Sequence, residues 1–400
     1  MTGTKSTPGE HEHIALAHAE IEDQDWLALV VKQTLAIGQD GGCHPVDSVE
    51  PLFDDSHPYE DLDPPESSPP RCDNDLFAFK ESTDLIVQGV AHTYGRPVRE
   101  TVVEVGFRGF TRQIRVFGDR ACSVSPDGKL TFTEPEPFES MPVRYDRAYG
   151  GFDHVALERQ GDWLGDSFRD VRPEWKLDAI TPFHYPRNPS GRGFLISADR
   201  ESAEGAPVPN LDFPFDPVTP ERMAVGDPLR WSIAPIPASF DWQHQAWFPR
   251  IGHLGLVPEH TPDSTFREIE WQWCSPGILS QQSILQLHYD PRFVQGASAG
   301  LVVPNLQADE TLNFRNLFPE RPGVEIRLPG LIPRVTLYPK WREAHQTTSH
   351  LNSLVVRPDE GIAILVWSAR TPVHRRFAGP ELESTPYQLS WGNAERGARP

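Results

Sequence analysis

The chain has 400 residues, 38% of them hydrophobic and 10% aromatic, enough apolar material for a sizeable core in one large domain or two ordinary ones. Its 57 acidic residues outweigh 37 basic ones for a formal charge of −20, a surface that repels phosphate backbones and disfavours nucleic acid as a partner. No apolar run approaches the roughly 18 residues of a membrane span, and the start MTGTKSTPGEHEH lacks the layout of a signal peptide. A cytoplasmic chain with no membrane partner is the expectation.

Proline stands out, at 41 of 400, about twice its usual share. Proline locks φ and removes a donor, so it avoids helix interiors and central strands. Short strands, long irregular connections and little helix follow. Cys43, Cys72, Cys122 and Cys274 lie far apart with no C-x-x-C pair, neither a zinc pattern nor a disulfide framework. A reduced compartment fits them.

Residues 1–12 are polar and expected to be flexible. A single β-rich unit is expected over 13–378, with any division into two lobes near 200–280. The polar stretch 379–400 reads as a frayed tail. Within the unit, the run from Ile14 is ambiguous between helix and strand, whereas Trp26–Ile37, rich in Val, Leu and Ile and closed by QDGG, reads as a strand. A strand pair is preferred.

Residues 46–75 hold ten acidic residues, one arginine and many prolines. Such a segment cannot form its own core and reads as a surface loop, wrapped over the sheet or offered to a partner. From residue 83, TDLIVQGVAH, VRETVVEVGF and FTRQIRVFGDR alternate apolar with polar residues between Gly, Pro and Asp, the half-buried antiparallel pattern. The fold class is therefore mostly β, with antiparallel sandwich or barrel-like sheets, long Pro-rich loops and few short helices. Residues 155–230 are loop-rich, and SLVVRPDEGIAILVWSAR is a hairpin. No repeat of fixed period is present.

Candidate chemistry is sparse. His11, His13 and His18 cluster in HEHIALAH, but H-E-x-x-H is absent and a metal site is not indicated. NPSGRGF (188–194) is neither a phosphate loop nor a dinucleotide motif. It reads as a turn that threads Arg192 past a sheet. Gly296–Gly300 matches G-x-S-x-G around Ser298, without the strand-before, helix-after context that a nucleophile elbow needs. No cofactor is expected.

In EPEPFESMPVRYDRAYGGFDH, Arg144, Asp146, Arg147 and Asp153 crowd against tyrosines and the pair Gly150–Gly151. A catalytic reading casts Asp146 or Asp153 as acid/base. With no accompanying nucleophile, a structural corner is preferred, with Arg144, Asp146 and Arg147 as a buried knot and the glycines permitting a sharp exit.

Several ordered stretches together carry a resemblance: DLIVQGVAH, VFGDR, PEPFESMPVRYDRAYGGFD, NPSGRGF, PVPNLDFP, YDPRFVQGASAGLVVPNL, LFPERPGVEIRLPG and LNSLVVRPDEGIAILVW. They resemble the DUF2169-type domain family, bacterial proteins of type VI secretion gene clusters, over about residues 84–367. The resemblance implies a non-enzymatic adaptor or chaperone that helps load a toxic effector onto the secretion spike, often through a PAAR-type tip. It supplies no catalytic residues. The chain departs from the family where Ala121 and Cys122 follow GDR and across 242–265. In DWQHQAWF, Trp242, Trp247 and Phe248 are candidate partner contacts, since large rings anchor interfaces at little entropic cost, although a core position is the preferred reading of Trp242 and Trp247. The alternative is a β-fold hydrolase or sugar-directed enzyme using Asp146, Asp153 or Ser298.

Overall fold

Strands joined by irregular connections, some alternating in burial and some buried throughout, build the described part of the molecule. The computed structural model describes residues 2–3, 7–8, 12–21, 24–62, 68–77, 80–159, 183–226, 228–250, 253, 291–340, 343–377 and 379–394. Strands dominate them, and the four α-helices among the described residues are four or five residues long. None of these helices is long and apolar enough to cross a membrane.

The largest sheet starts from the hairpin Glu12–Ile21 and Gln24–Ile37, so the ambiguous first run is a strand. Gln24–Ile37 pairs along its length with Ile362–Val373, then follow Glu343–Arg357, Leu331–Lys340 and finally Tyr387–Asn393, all antiparallel. The sheet curls into a half-barrel. A second sheet holds the hairpin Glu100–Phe107 and Phe110–Phe117, flanked by Leu211–Asp212 on one side and by Thr311–Arg315 and Gly323–Arg327 on the other. One core joins the two sheets: Leu27, Leu29, Leu85 and Val87 of the first pack in the same cluster as Val103, Val105, Ile114 and Ile326 of the second. A second cluster gathers the loop-rich region around Tyr149, Phe183, Tyr185, Phe194, Met223 and Trp231. Its rings pack edge to face and stacked, with Tyr149–Tyr185 at 5.1 Å and Tyr185–Phe194 at 5.4 Å.

Three expectations change. Thr83–Val87, expected as a half-buried antiparallel strand, is not half-buried. It runs parallel to Ser353–Val356 in the large sheet, and all five of its residues are buried, the mark of a strand covered on both faces. Thr2–Gly3 and Thr7–Pro8, expected to be loose, pair with Glu12–Ile21. The presumed tail contains helix Pro380–Ser384 and strand Tyr387–Asn393. In that strand Tyr387, Leu389 and Trp391 are half-buried while Gln388 and Ser390 are exposed, a period of two that polar neighbours obscure. Much of the region 200–280, where a seam between lobes was expected, lies outside the described residues.

Candidate functional site: two buried polar hubs

The corner is built around a side chain that sequence reasoning passed over. Residues 145–147 form one turn of 3₁₀ helix, and Tyr149–Gly150 then pairs in parallel with Arg192–Gly193. Asn188, fully buried, donates from Nδ2 to the carbonyls of Tyr145 at 2.8 Å and Tyr149 at 3.0 Å. Its own carbonyl accepts from the N–H of Gly151 at 2.9 Å and Gly191 at 3.2 Å. This close approach needs glycine: a Cβ at Gly150 would lie 2.1 Å from the Asn188 carbonyl oxygen, and one at Gly151 (φ +91°) 2.3 Å from that of Gly191.

Around this pin the charges interlock. Arg144 donates from Nε to Asp146 at 3.0 Å, reaches Asp61 at 2.9 Å and lies 4.6 Å from the centre of the Tyr59 ring. Arg147 sits 3.6 Å from both Asp146 and Asp119, and Arg192 Nε donates to the Asp146 carbonyl at 2.9 Å. Asp146→Ala leaves Arg144 with Asp61, so the expected loss is about 1–3 kcal/mol, short of the cost of orphaning a buried charge. Urea titration checks this, and an unchanged midpoint contradicts it.

The second hub is Asp84, completely buried in strand Thr83–Val87. Its Oδ2 accepts from Lys80 Nζ at 2.6 Å and from the Gly296 N–H at 3.0 Å, and its Oδ1 accepts from Gln295 Nε2 at 3.0 Å and from the Ala297 N–H at 3.1 Å. Lys80 also donates to Ser353 Oγ at 3.2 Å and lies 5.1 Å from the Trp242 ring centre. The stretch QGASAG is thus wrapped around a carboxylate. Next to it, Arg250 and Asp73 form an ion pair of 2.9 Å with side chains only 1% and 2% exposed.

The residues of the enzymatic alternative serve separate structural purposes. Asp146 is committed to the corner. Asp153 caps the start of helix His154–Glu158, with Oδ1 accepting from the Ala156 N–H at 2.9 Å and Oδ2 from the Ile196 N–H at 2.8 Å. Ser298 is buried and its Oγ has no hydrogen-bond partner among the described residues, so none of them is placed as a base to activate it. A shallow hollow lined by Pro339, His345, Val373, His374, Arg375 and Phe377 includes none of the three. The thiols of Cys43, Cys72 and Cys122 are each pushed up to about 11, chiefly by burial, away from the reactive thiolate. His18 pairs with Asp25 at 2.8 Å, while His11 and Cys274 lie outside the described residues.

The acidic loop is fastened rather than free. Glu50 pairs with Arg357, Asp75 with Lys32 at 2.8 Å, Asp61 with Arg144, and Asp73 with Arg250. Tyr59 donates to Asp241 at 2.8 Å, and Asp241 also accepts from Gln88 Nε2 and the Trp242 N–H, each at 2.8 Å. Burial pushes the Asp241 carboxyl up to about 6, against the pull of the Gln88, Trp242 and Tyr59 hydrogen bonds and the Arg144 charge. A carboxyl raised on folding binds its proton more tightly in the native state. This group therefore adds stability as pH falls from 7 through 6 and withdraws it as pH rises. The expected result is a midpoint at pH 5 above that at pH 7 by an amount that Asp241→Asn removes. An Asp241→Asn chain with the same pH response as the parent contradicts this.

Trp242, Trp247 and Phe248 are all buried, which corrects their reading as partner contacts. Trp242 receives Lys80, Trp247 meets Tyr145 edge-on at 5.5 Å, and Phe248 packs on Trp231 at 5.4 Å. Trp242 and Trp247 thus pack against the hubs, while Phe248 belongs to the second core cluster. Among the described residues, the large apolar side chains that face solvent are Tyr94, Phe110, Phe215, Ile233 and Ile236.

Asn188, Lys80, Asp84, Asp241 and Arg250 were not singled out from the sequence. A signal existed for Asp84: a lone carboxylate in the apolar run TDLIV, four residues after a lysine. No curated protein and no solved structure matches the chain. One family model, described as an uncharacterized protein conserved in bacteria, matches residues 22–368, a span that holds both hubs. The chain belongs to this bacterial family, DUF2169.

Proposed function

We propose that this chain is a cytoplasmic, non-enzymatic adaptor. It binds a toxic effector, together with a PAAR-type tip or spike protein, and promotes its loading for type VI secretion. One observation carries the non-enzymatic part. The stretches on which the family resemblance rests are those that interlock: PVRYDRAYGGFD with NPSGRGF through Asn188, and DLIVQG with QGASAG and LNSLVV through Asp84 and Lys80. Motifs spent on a framework leave function to the surface around it. The secretion role rests on the resemblance of those ordered motifs to effector adaptors.

The test is co-purification of the chain with the effector encoded beside its gene. A defined complex of moderate affinity is the expected result, because cargo has to be handed on. Turnover by the purified chain that Asp153→Asn or Ser298→Ala abolishes while stability is kept would replace this reading with the hydrolase.

A further inference from the structure

The large sheet ends on Tyr387–Asn393, which pairs with Leu331–Lys340 on one side. The register, from Leu331↔Asn393 to Leu337↔Tyr387, continues into the bonds from the Tyr338 N–H to the Pro386 carbonyl and from the Ala394 N–H to the Gly330 carbonyl. In an antiparallel ladder the bonded positions alternate. Gln388, Ser390 and Gly392 therefore bond inward, while Tyr387, Leu389, Trp391 and Asn393 turn their N–H and C=O groups outward. Among the described residues no strand pairs with that outer side.

Sheet edges are usually protected by charge, proline, a bulge or a covering segment. Two other edges here follow that rule. Glu12–Ile21 is covered by Thr2–Gly3 and Thr7–Pro8. Gly323–Arg327 carries exposed Glu325 and Arg327 and donates from the Arg327 N–H to the Gly41 carbonyl. YQLSWGN has no charge and no proline over seven residues. Tyr387, Leu389 and Trp391 also form a half-exposed apolar row that packs on the main core. An added strand would continue that row and bury it.

We propose that Tyr387–Asn393 accepts an extended strand from a different polypeptide, neutral or basic, with apolar side chains at every second position. Only another backbone matches donors and acceptors at strand spacing along an edge about 24 Å long. A second copy of this chain is disfavoured, because each copy carries a formal charge of −20. That the strand belongs to an exported effector rests on the adaptor reading; the strand-accepting edge does not.

The test is residue-resolved hydrogen exchange on the full chain, with a synthetic peptide of about ten residues, alternating valine with lysine, as the probe. In the free chain the amides of Tyr387, Leu389, Trp391 and Asn393 exchange faster than those of Gln388, Ser390 and Gly392, and the peptide slows the outward set. Gln388→Lys with Ser390→Lys, at exposed positions, weakens this peptide about tenfold through cross-strand repulsion and favours a valine–glutamate peptide instead. Equal protection of the two sets in the free chain, no slowing by either peptide, or a concentration-dependent dimer through this edge overturns the proposal. If the peptides bind and the neighbouring effector does not, the adaptor reading fails while the edge stands.

Discussion

Asp84→Ala is expected to leave the chain insoluble or largely unfolded. The change strands Lys80, whose side chain is 2% exposed, beside Trp242 with no counter-charge. Orphaning a buried charge costs roughly 3–5 kcal/mol. Gln295 Nε2 and the Gly296 and Ala297 N–H groups lose their acceptor as well, and each buried donor left unpaired adds about 1–3 kcal/mol. Against a typical total stability of about 5–15 kcal/mol, that sum removes most or all of the margin. Soluble expression and a urea midpoint check it. A chain that stays fully stable yet loses effector binding would make the hub a recognition site.

Gly151→Ala is the second large effect. The residue sits at φ +91° with the Gly191 carbonyl oxygen 2.3 Å from where a Cβ would be, so neither backbone nor neighbour can absorb the methyl group in place. Strain in that region costs of order 1–3 kcal/mol. Overlap also forces apart the parallel pair Tyr149–Gly150 and Arg192–Gly193, for a total of roughly 3–5 kcal/mol. Asn188→Ala, which removes the donor to two buried carbonyls, should act in the same direction. Thermal melts of both variants measure this. A melting temperature within error of the parent for Gly151→Ala would mean that the corner relaxes freely.

The hairpins were legible because alternation is a local property. Val103 and Val105 are buried on the strand that reads VVEV, and the pairing of Glu343–Arg357 with Ile362–Val373 follows from one short turn. The parallel partner of Thr83–Val87 was not legible, since it lies some 270 residues away and five buried positions in a row carry no period. The corner announced itself through glycines beside arginines and aspartates. Its pin did not, because Asn188 reaches Tyr145 and Tyr149 across about forty residues and Asn-Pro reads locally as a turn. The acidic loop could be read as wrapped over the sheet, but its fastenings could not be read, because its cations, Lys32, Arg144, Arg250 and Arg357, are scattered along the chain and only the fold gathers them. The candidate rings Trp242, Trp247 and Phe248 look alike in sequence whether they face a partner or support a buried ion pair.

The adaptor role is tested most directly by export from a strain that lacks this gene but keeps the rest of its secretion cluster. Loss of one cognate effector from the medium, with the secretion machine still firing and its other effectors still released, is the expected result. Unchanged export of every effector would contradict the role, and loss of all of them would make the chain a component of the machine instead.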